Sequence, residues 1–570
     1  MSAELSPGLI LILGAVLVPL FTGRLRTVYM LALPAVAFAW LTSLPEGEFG
    51  QFEVFGQTLV TVRIDPLSSV FGTIFLIAAF LGLLYASHLK GALQHVAALV
   101  YAGSATSAVF AGDLITLFVF WEGTAISSVF LIWARGTESA YRAGMRYLLV
   151  QVASGVLLIA GIAAQLGATG SIAFDEIGVG SLAGNLIFLA FGIKCAFPLL
   201  HTWLQDAYPE ATVSGTVILS AFTTKLAIYA LARGYAGTDI LIPIGAVMAV
   251  FPIYYGLIAN DLRRVLSYAL ICQLGFMVVG IGIGTELSLN GTTSHALASI
   301  LYKALLFMAT GAVLHRVGTI QASDLGGLYK SMPWTAGFCI VGAASISALP
   351  LFSGFVSKGM TVDAAMHEGH FWTWLALMTA SVGVFHFTAI RVPYLAFFGR
   401  DSGLRCEEAP GNMLVAMGIT AALCFLIGVA PGALYAVLPF PVEYEPYTLG
   451  HVVTQLQLLA FAGLAFVVLL RLGLYPLALR STNLDFDWLF RVPFKWVAEQ
   501  LAAGVAVSSE ELGHLRRLAG RELVGQLYVV LGPQGLLART WSIGFAVLLI
   551  TIVLAVGLMF NFLGSPPEAM

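Results

Sequence analysis

Residues 191–225 read FGIKCAFPLLHTWLQDAYPEATVSGTVILSAFTTK, and this stretch decides the fold. An apolar run that carries Lys194 meets Pro198, and a second apolar run leads to Lys225. Proline lacks the N–H group that a helix needs and clashes with the preceding turn, so Pro198 predicts a break. A lysine beside a broken helix in hydrocarbon is costly and typically marks an ion or proton path. The alternative, an amine that snorkels to the membrane surface, is disfavoured by the apolar residues on both sides of Lys194.

The composition is that of a polytopic membrane protein. Of the 570 residues, 59% are hydrophobic and 10% are charged, and the mean hydropathy is +0.92. A soluble chain carries about 25% charged residues, so this chain cannot cover a water-facing surface. The net charge of −3 is small and predicts no nucleic-acid partner. The expected surroundings are therefore a lipid bilayer.

No redox centre, metal site or cofactor is predicted. The chain has no CxxC pair, no GxGxxG segment before a helix and no pair of haem ligands. This pattern excludes only a self-contained oxidoreductase. Five scattered cysteines are interpreted as small core residues: Cys195, Cys272, Cys339, Cys406 and Cys424.

Apolar segments long enough for one membrane crossing, about 20 residues each, recur about sixteen times and predict an all-α polytopic protein. Alternating apolar and polar residues over 52–63 predict a small β-hairpin. The expected parts are N-terminal helices with the hairpin, a first five-helix repeat, a second and inverted five-helix repeat, C-terminal core helices, a cytoplasmic segment and a final span. Their predicted bounds are 1–91, 92–233, 240–398, 412–470, 477–535 and 540–562.

The basic residues predict the orientation. Outside the spans, only Arg63 and Arg233 of the 27 lysine and arginine residues fall on one side of the predicted topology. The other side is cytoplasmic by the positive-inside rule, which places the N-terminus outside a bacterial-type cytoplasmic (inner) membrane. The first apolar run, 7–21, lacks a basic leader region and a clear cleavage site, so we expect a retained helix.

The segment 477–535 differs from the spans, because acidic and basic residues alternate there with regularly spaced Leu, Val and Trp. Residues 510–531 fit an amphipathic helix on the cytoplasmic membrane surface or against a partner subunit. A solvated connector to the last span is an equally open alternative.

A second proline break resembles the first. Residues 349–358 read LPLFSGFVSK and place Pro350 and Gly354 beside Lys358, five spans after the first break. Because five is odd, two five-helix units insert upside-down relative to each other, which is the pattern of inverted repeats. We therefore expect Lys194 and Lys358 to occupy equivalent places in the two repeats. The next spans carry FTTK, ending at Lys225, and FTAIR, ending at Arg391, a match that is off by one residue.

Glu122, in the segment FWEG, is one of very few carboxylates well inside a span. Low polarity disfavours the charged form of a carboxyl group, and a nearby lysine reverses that preference. Opposite charges about 4 Å apart interact by about 4 kcal/mol at an effective dielectric constant near 20. Glu122 and Lys194 are therefore expected to control each other's protonation, and the alternative is a static ion pair.

His295, Ser299 and Lys303 recur every four residues and share one helix face. An imidazole, a hydroxyl and an amine in line can hold a chain of water, whereas a lone histidine on an apolar face is more often a hydrogen-bonded core residue. The spacing to Lys303 favours the functional interpretation. Additional relay or proton-uptake positions are predicted at His201, Asp206, Ser299, His386 and Arg391.

Several segments together resemble the antiporter-like subunits shared by Mrp-type Na+/H+ antiporters, respiratory complex I and membrane-bound hydrogenases. They are FWEGTAISS, FGIKCAFPLLHTWLQDAYPEA, LSAFTTKLAIYAL, HALASILYKALLFMATGAV, DLGGLYKSMP and ALPLFSGFVSK, and the resemblance covers about residues 60 to 430. It implies about fourteen core helices with two inverted five-helix repeats, and it implies a proton relay through Glu122, Lys194, Lys225, His295, Lys303 and Lys358. Many members have a second histidine where this chain has Ser299, so its central relay is expected to depend more on water.

The leading hypothesis is a subunit of a multi-subunit Mrp-type cation/proton antiporter, most similar to the D-type subunit, with other membrane subunits, protons and monovalent cations as its partners. The alternative is the proton-pumping subunit of a complex I-type NADH:quinone oxidoreductase or membrane-bound hydrogenase, in which electron transfer elsewhere drives the same relay. A membrane scaffold without transport is disfavoured, since a scaffold gains nothing from several embedded charges.

Overall fold

The computed structural model describes residues 4–54, 56–475 and 543–563, together with isolated residues between 478 and 497. It divides into two units, Met1–Asn483 and Leu484–Met570. In the second unit the described helix is α22, Ile543–Leu563, at the position of the predicted last span. The predicted amphipathic helix at 510–531 lies outside the described residues.

The first unit is built from helices. Its first half contains α1 Pro7–Ala15, α2 Gly23–Ser43, α3 Pro66–Ala86, α4 Ala92–Val109, α5 Leu114–Trp133, α6 Glu138–Thr169, α7 Leu182–Cys195, α8 Thr202–Ala207, α9 Val213–Ala221 and α10 Thr223–Gly234. Its second half contains α11 Leu241–Val250, α12 Pro252–Ile258, α13 Leu262–Ile283, α14 Glu286–Val317, α15 Pro333–Ile346, α16 Ser353–His367, α17 Phe371–Val384, α18 Arg391–Pro393, α19 Gly411–Val429, α20 Pro431–Tyr435 and α21 Leu449–Arg471. Short 3-10 turns lie at Val18–Leu20, Ala322–Asp324 and Leu328–Lys330, and π-helical segments lie at Phe385–Ile390 and Tyr394–Phe398.

Eleven spans in the described residues are long and apolar enough to cross a membrane, which confirms an all-helical, multi-pass membrane protein. The count is lower than about sixteen partly because two predicted spans are broken. Their apolar halves, Leu182–Cys195 and Pro333–Ile346, are too short to cross alone.

The predicted hairpin is present. Strands β1, Gly47–Val54, and β2, Gln57–Ile64, pair antiparallel, with Gly47 opposite Ile64. The hairpin is tied to the start of α5, because Val60 N donates to Asp113 Oδ2 at 2.9 Å while Asp113 Oδ1 caps α5 by accepting from Thr116 N at 2.7 Å. We call the side of the protein that carries β1 and β2 the hairpin face.

Matching helix boundaries reveal an internal repeat. Helices α6 and α14 each have 32 residues and begin after a threonine that caps the helix with its side chain. Each ends at a glycine in the left-handed conformation, Gly170 or Gly318. Helices α5 and α13 both begin after a capping aspartate, and each aspartate forms a β-bridge with a residue that follows the long helix.

The two repeats start at opposite faces. Arg263, near the start of α13, donates to Ala211 O at 3.0 Å, just before the span α9–α10 begins. At the other end of that span, Arg233 pairs with Asp65 on the hairpin face at 2.6 Å. Although burial opposes the effect, the Arg233 guanidinium lowers the pKa of Asp65. Since α5 begins at the hairpin face and α13 begins at the opposite face, the repeats are inverted; we call that second face the arginine face.

Both predicted helix breaks are present and have the same backbone geometry. Ala196 and Leu199 follow α7 with φ of 62° and 72°, and Ala348 and Leu351 follow α15 with φ of 57° and 76°. These are the four non-glycine residues with positive φ in the described chain, and Pro198 and Pro350 lie within the two breaks. Each such residue costs about 1–3 kcal/mol, so the surrounding structure holds the breaks in place.

When the two breaks are aligned by their positive-φ residues, Ala196 with Ala348 and Leu199 with Leu351, the expected equivalence of Lys194 and Lys358 is wrong. Lys194 lies on α7, before its break, and Lys358 lies on α16, after its break. The position equivalent to Lys194 is Ile346, and the position equivalent to Lys358 is Asp206. The sequence comparison paired a lysine that comes before its proline, Lys194, with a lysine that comes after its proline, Lys358. Gly354 is the second residue of α16 and so belongs to the helix after the break.

Candidate functional site

Lys194 is fully buried in the last turn of α7 and its amine is held by α5. Its Nζ donates to the carbonyl oxygen of Trp121 at 2.6 Å and to Thr124 Oγ1 at 3.0 Å. It also lies 4.2 Å from the centre of the Trp121 ring, where a cation is attracted by the π-system. All of these partners are neutral.

Glu122 interacts electrostatically with Lys194, but the two side chains do not form an ion pair within 4 Å in the described chain. Its buried Oε1 has no hydrogen-bond partner among the described residues. Oε1 is directed at α6, where a Cβ atom added to Gly155 would lie 1.8 Å away. The direct pair considered from the sequence is therefore replaced by a carboxyl group beside the lysine, in a site shaped by Gly155.

Lys225 lies just after the kink between α9 and α10. Phe222 interrupts the helix there, with φ −105° and ψ −64°. The freed carbonyl of Ser220 accepts a hydrogen bond from Lys225 Nζ at 3.1 Å. Tyr101 Oη supports the kink by accepting from Thr223 N at 3.0 Å. The amine again has a neutral partner that a helix irregularity provides.

His295 is fully buried at the centre of the second repeat. Its Nδ1 lies 3.1 Å from Ser357 Oγ, and its Nε2 lies 3.1 Å from Gln273 Oε1. Tyr302 Oη donates to the same Gln273 oxygen at 3.1 Å. Because an amide oxygen only accepts, Nε2 carries the proton in the neutral ring and Nδ1 is the nitrogen that can gain one.

Lys303 is fully buried, and its Nζ has no hydrogen-bond partner among the described residues. It interacts electrostatically with Lys225 and Lys358. Ser299 does not reach Lys303, because its hydroxyl donates to Ala296 O at 3.0 Å. The expected His–Ser–Lys line is thus replaced by a network around His295 and a separate amine.

Lys358, on α16, is the last of the four buried lysines, after Lys194, Lys225 and Lys303; we call these four amines the lysine row. Its Nζ donates to Ile346 O at 3.2 Å and to Ser381 Oγ at 3.4 Å, and it lies 4.9 Å from the Phe276 ring centre. The Ile346 carbonyl is free to accept because α15 ends there. Lys358 also lines a cavity of about 880 Å³.

These groups are connected in space. Cys195, next to Lys194, interacts electrostatically with Lys225, and His295 interacts with Lys225, Lys303 and Lys358. Around them, several buried polar atoms have no protein partner among the described residues, and such atoms typically bind water. These atoms belong to Glu122, Gln151, Gln205, Thr224, Lys303 and Thr361.

Two further candidates lie on the first break. The ring of His201 is buried 4.6 Å from that of Phe251. Asp206 forms an ion pair with Arg146 at the end of α8.

His386 and Arg391 lie on or beside a π-helical segment, Phe385–Ile390. A π-helical turn takes up one extra residue, which explains why the match between FTTK and FTAIR was off by one. Arg391 is fully buried and its guanidinium donates to the carbonyls of Leu257 and Ala259. His386 packs against Tyr475 and Phe466.

Two residues of the site were not found by sequence reasoning. A glycine opposite a carboxylate leaves no signal in a single sequence, because Gly155 acts through the side chain that it lacks. Gln273 did leave a signal, since it is an amide in the apolar run LICQLGF of α13. The described residues contain no group of three or more His, Cys, Asp or Glu side chains arranged to hold a metal ion.

Residues 111–383 match a family profile described as NADH:quinone oxidoreductase/Mrp antiporter, transmembrane. The D-type subunit of the Na(+)/H(+) antiporter of Alkalihalophilus pseudofirmus is 30% identical over 57% of this chain and 70% of its own length. NADH-quinone oxidoreductase subunit N of Desulforudis audaxviator is 30% identical over 70% of this chain and 88% of its own. Hydrogenase-4 component B of Escherichia coli is 26% identical over 65% of this chain, which spans 62% of that relative's length.

Two solved structures share the fold. A chain of the Mrp complex from Dietzia sp. matches with a TM-score of 0.68 and 20% identity, over 76% of this chain and 95% of its own. A chain of the membrane-bound sulfane sulfur reductase, an archaeal respiratory membrane complex, matches with a TM-score of 0.70 and 21% identity, over 98% of this chain and 100% of its own.

Proposed function

Since the chain belongs to the family of antiporter-like membrane subunits represented by the NADH:quinone oxidoreductase/Mrp antiporter profile, we propose that it is the proton-translocating subunit of a multi-subunit Mrp-type monovalent cation (Na+)/proton antiporter. Protons move along Glu122, Lys194, Lys225, His295, Lys303 and Lys358, with water between them. The other subunits of the complex, protons and monovalent cations are its partners.

The observation that carries this proposal is the chemistry around the buried amines. Among the described residues, Lys194, Lys225 and Lys358 are hydrogen-bonded by carbonyl and hydroxyl oxygens, and none has a carboxylate within 4 Å. A structural buried lysine needs an opposite charge, because an unpaired buried charge is strongly destabilising. A neutral oxygen accepts a hydrogen bond from an ammonium and from a neutral amine alike. Each site can therefore hold its lysine in both protonation states.

The helix irregularities are what provide these oxygens. A carbonyl in a regular helix is already engaged by the N–H four residues later, whereas one at a break or kink is free. Ser220 at the α9–α10 kink and Ile346 at the end of α15 each bind one lysine in this way. The breaks thus convert backbone into a set of proton-carrying sites near mid-membrane.

Coupling between the sites follows from their charge. In a medium with an effective dielectric constant near 20, a unit charge 8 Å away still contributes about 2 kcal/mol. Protonation of Lys225 or Lys358 therefore disfavours a proton on Lys303. A proton that arrives at one end of the row promotes release at the next amine, which is how a row of like-charged groups moves protons in sequence.

The orientation is proposed from the distribution of charge. Arg135, Arg263 and Arg316 lie towards the arginine face, which we place on the cytoplasmic side of a bacterial-type inner membrane. The N-terminal residues lie at the hairpin face, where Leu5 O accepts a hydrogen bond from Trp40 Nε1 at 3.0 Å and Glu4 O lies close to Gly50 of the hairpin. The N-terminus is then outside.

One observation favours a second candidate, a proton-pumping subunit of a complex I-type NADH:quinone oxidoreductase or membrane-bound hydrogenase. NADH-quinone oxidoreductase subunit N of Desulforudis audaxviator aligns with 70% of this chain, and the D-type antiporter subunit of Alkalihalophilus pseudofirmus aligns with 57%, each at 30% identity. The same relay serves both candidates, and the source of energy differs.

The test is to purify the assembled complex, reconstitute it in liposomes and impose a Na+ gradient. Proton movement in the direction opposite to Na+ flow supports the antiporter, provided that it is lost in the isosteric variant Glu122→Gln. Proton movement only with an electron donor and acceptor, in a complex that contains cluster-binding subunits, supports the second candidate. No Glu122-dependent proton movement under either condition would contradict both.

A further inference from the structure

A large cavity lies beside Lys358 and opens near the hairpin face. Its volume is about 880 Å³, and it lies between α16, the loop 441–448 and the start of α21. The start of α14, at Glu286, belongs to its wall. Asn290 fixes the loop to α14, since its side-chain amide donates to Phe440 O at 2.9 Å and accepts from Phe440 N at 3.1 Å. The loop and α21 lie outside the residues that match the family profile.

His451, on the first turn of α21, lies against the surface of α16 that carries Lys358. Its ring stacks on Phe355, with centroids 4.4 Å apart and an angle of 13° between the rings. A Cβ atom added to Gly359 would lie 2.9 Å from His451 Cε1 and 2.3 Å from Tyr444 Oη. The residues on both sides of Lys358 are thus shaped to receive His451 and Tyr444.

The hydrogen bonds of His451 fix which nitrogen is available. Nδ1 lies 2.8 Å from Pro446 O and 3.4 Å from Tyr444 Oη. A carbonyl oxygen only accepts, so Nδ1 carries the proton in the neutral ring. Nε2 has no hydrogen-bond partner among the described residues, and His451 lines the cavity. The free nitrogen is therefore the one that can take up a proton from cavity water.

We propose that His451 is an additional relay residue that exchanges protons with Lys358 across this cavity and connects the mid-membrane row to the hairpin face; this inference rests on the proposed function. In the step, the Lys358 ammonium gives a proton to a cavity water, and that water gives one to His451 Nε2. The result is a neutral amine and an imidazolium whose two N–H groups face Pro446 O and the cavity. The imidazolium then releases its Nε2 proton to bulk water.

Other titratable groups face the same space and set its electrostatics. The carboxyl groups that line it come from α14, α16 and the loop, and they are Glu286, Asp363, Glu443 and Glu445. Their negative charge raises the local concentration of cations at the outer end of the cavity. Burial raises the pKa of Tyr444, so its hydroxyl keeps its proton and positions His451 without titrating itself.

The test measures Na+-driven proton flux of the complex in liposomes with His451→Ala and His451→Gln. Glutamine keeps an N–H donor for Pro446 O, but its amide takes up no further proton near neutral pH. We expect both variants to lose at least about tenfold in flux, since positioned proton-transfer groups contribute that much or more. His367→Ala, at a histidine on the exposed end of α16, is the control and should leave flux unchanged.

Chemical rescue separates proton transfer from packing. The cavity is large enough for a free imidazole, so imidazole added to the His451→Ala complex should restore much of the lost flux. Pyrazole, a ring of the same size that takes up no proton near neutral pH, should not. Normal flux in either variant, loss without rescue by imidazole, or equal rescue by pyrazole would overturn the role of His451. Each of these outcomes leaves wild-type, Glu122-dependent flux intact and so is distinct from failure of the proposed function.

Discussion

Gly155 and Glu122 occupy one space between α6 and α5: a Cβ atom at residue 155 would lie 1.8 Å from the carboxylate oxygen Oε1. Gly155 holds the same position in α6 that Lys303 holds in α14, counted from the first residue of each 32-residue helix. In the first repeat, the lack of a side chain at Gly155 leaves space for the Glu122 carboxyl group. In the second repeat, the equivalent position carries the amine of Lys303. The functional groups of the two repeats are different although the backbone repeats.

The first prediction concerns Gly155→Ala, which forces the Glu122 carboxylate away from its place. Proton flux should fall at least about tenfold, which corresponds to about 1.4 kcal/mol. Gly167→Ala, on the same helix with open space around it, is the matched control and should leave flux unchanged. Flux of the reconstituted complex is the measurement, and near-normal flux in Gly155→Ala would show that the position of Glu122 does not matter.

The second prediction concerns Lys303, whose amine is buried without a direct partner among the described residues. Replacing it by methionine keeps most of its volume and removes a costly buried polar group. Lys303→Met should therefore keep or raise the thermal stability of the complex while flux falls at least about tenfold. Leu301→Met on the same helix controls for packing. Loss of stability together with flux would instead identify Lys303 as a structural residue.

The third prediction concerns the pair of Asp65 and Arg233 at the hairpin face. The pKa of Asp65 is lowered in the folded protein, so its contribution is present above the unfolded value of about 3.9 and is lost as the pH falls below it. Asp65→Asn should destabilise the protein by about 2 kcal/mol at pH 7 and by much less near pH 3. Thermal unfolding in detergent at the two pH values measures this, and an equal effect at both would exclude a charge-based role.

The fourth prediction concerns orientation. Single cysteines replacing Glu53, on the exposed hairpin, and Ser402, in the loop at the arginine face, should react differently with a membrane-impermeant maleimide added to intact cells. Glu53→Cys should be labelled, and Ser402→Cys should be labelled only after the membrane is permeabilised. The reverse pattern would place the N-terminus inside.

The sequence predicted the backbone interruptions well, because their causes are local. Pro198 and Pro350 end helices by removing an N–H donor, and alternation over 52–63 predicted a hairpin that the structure extends to 47–64. The predicted equivalence of Lys194 and Lys358 was wrong, because Lys194 precedes its helix break and Lys358 follows its own. Repeated units are aligned in the same chain direction, so these two positions do not correspond. The one-residue offset at Arg391 needed the π-helical segment, which the sequence pattern did not predict.

The candidate site was predicted as a set of residues but not as a set of contacts. Lys194 was expected to pair with Glu122, and instead it donates to Trp121 O and Thr124. That choice depends on how α5 and α7 pack, which no local pattern encodes. His451 was not singled out, since its meaning comes from the cavity it shares with Lys358 and not from its neighbours in the chain.

The proposed relay depends on buried lysines that change protonation state, and Lys194→Arg is the sharpest test of that dependence. Arginine keeps the positive charge and can donate to Trp121 O and Thr124 Oγ1, but it does not release its proton near neutral pH. Na+-driven proton flux should be measured at matched expression of the assembled complex, beside Lys194→Ala and Glu122→Gln. We expect Lys194→Arg to fail almost as fully as Lys194→Ala; near-normal flux in Lys194→Arg would show that Lys194 is a fixed structural charge and would refute the relay.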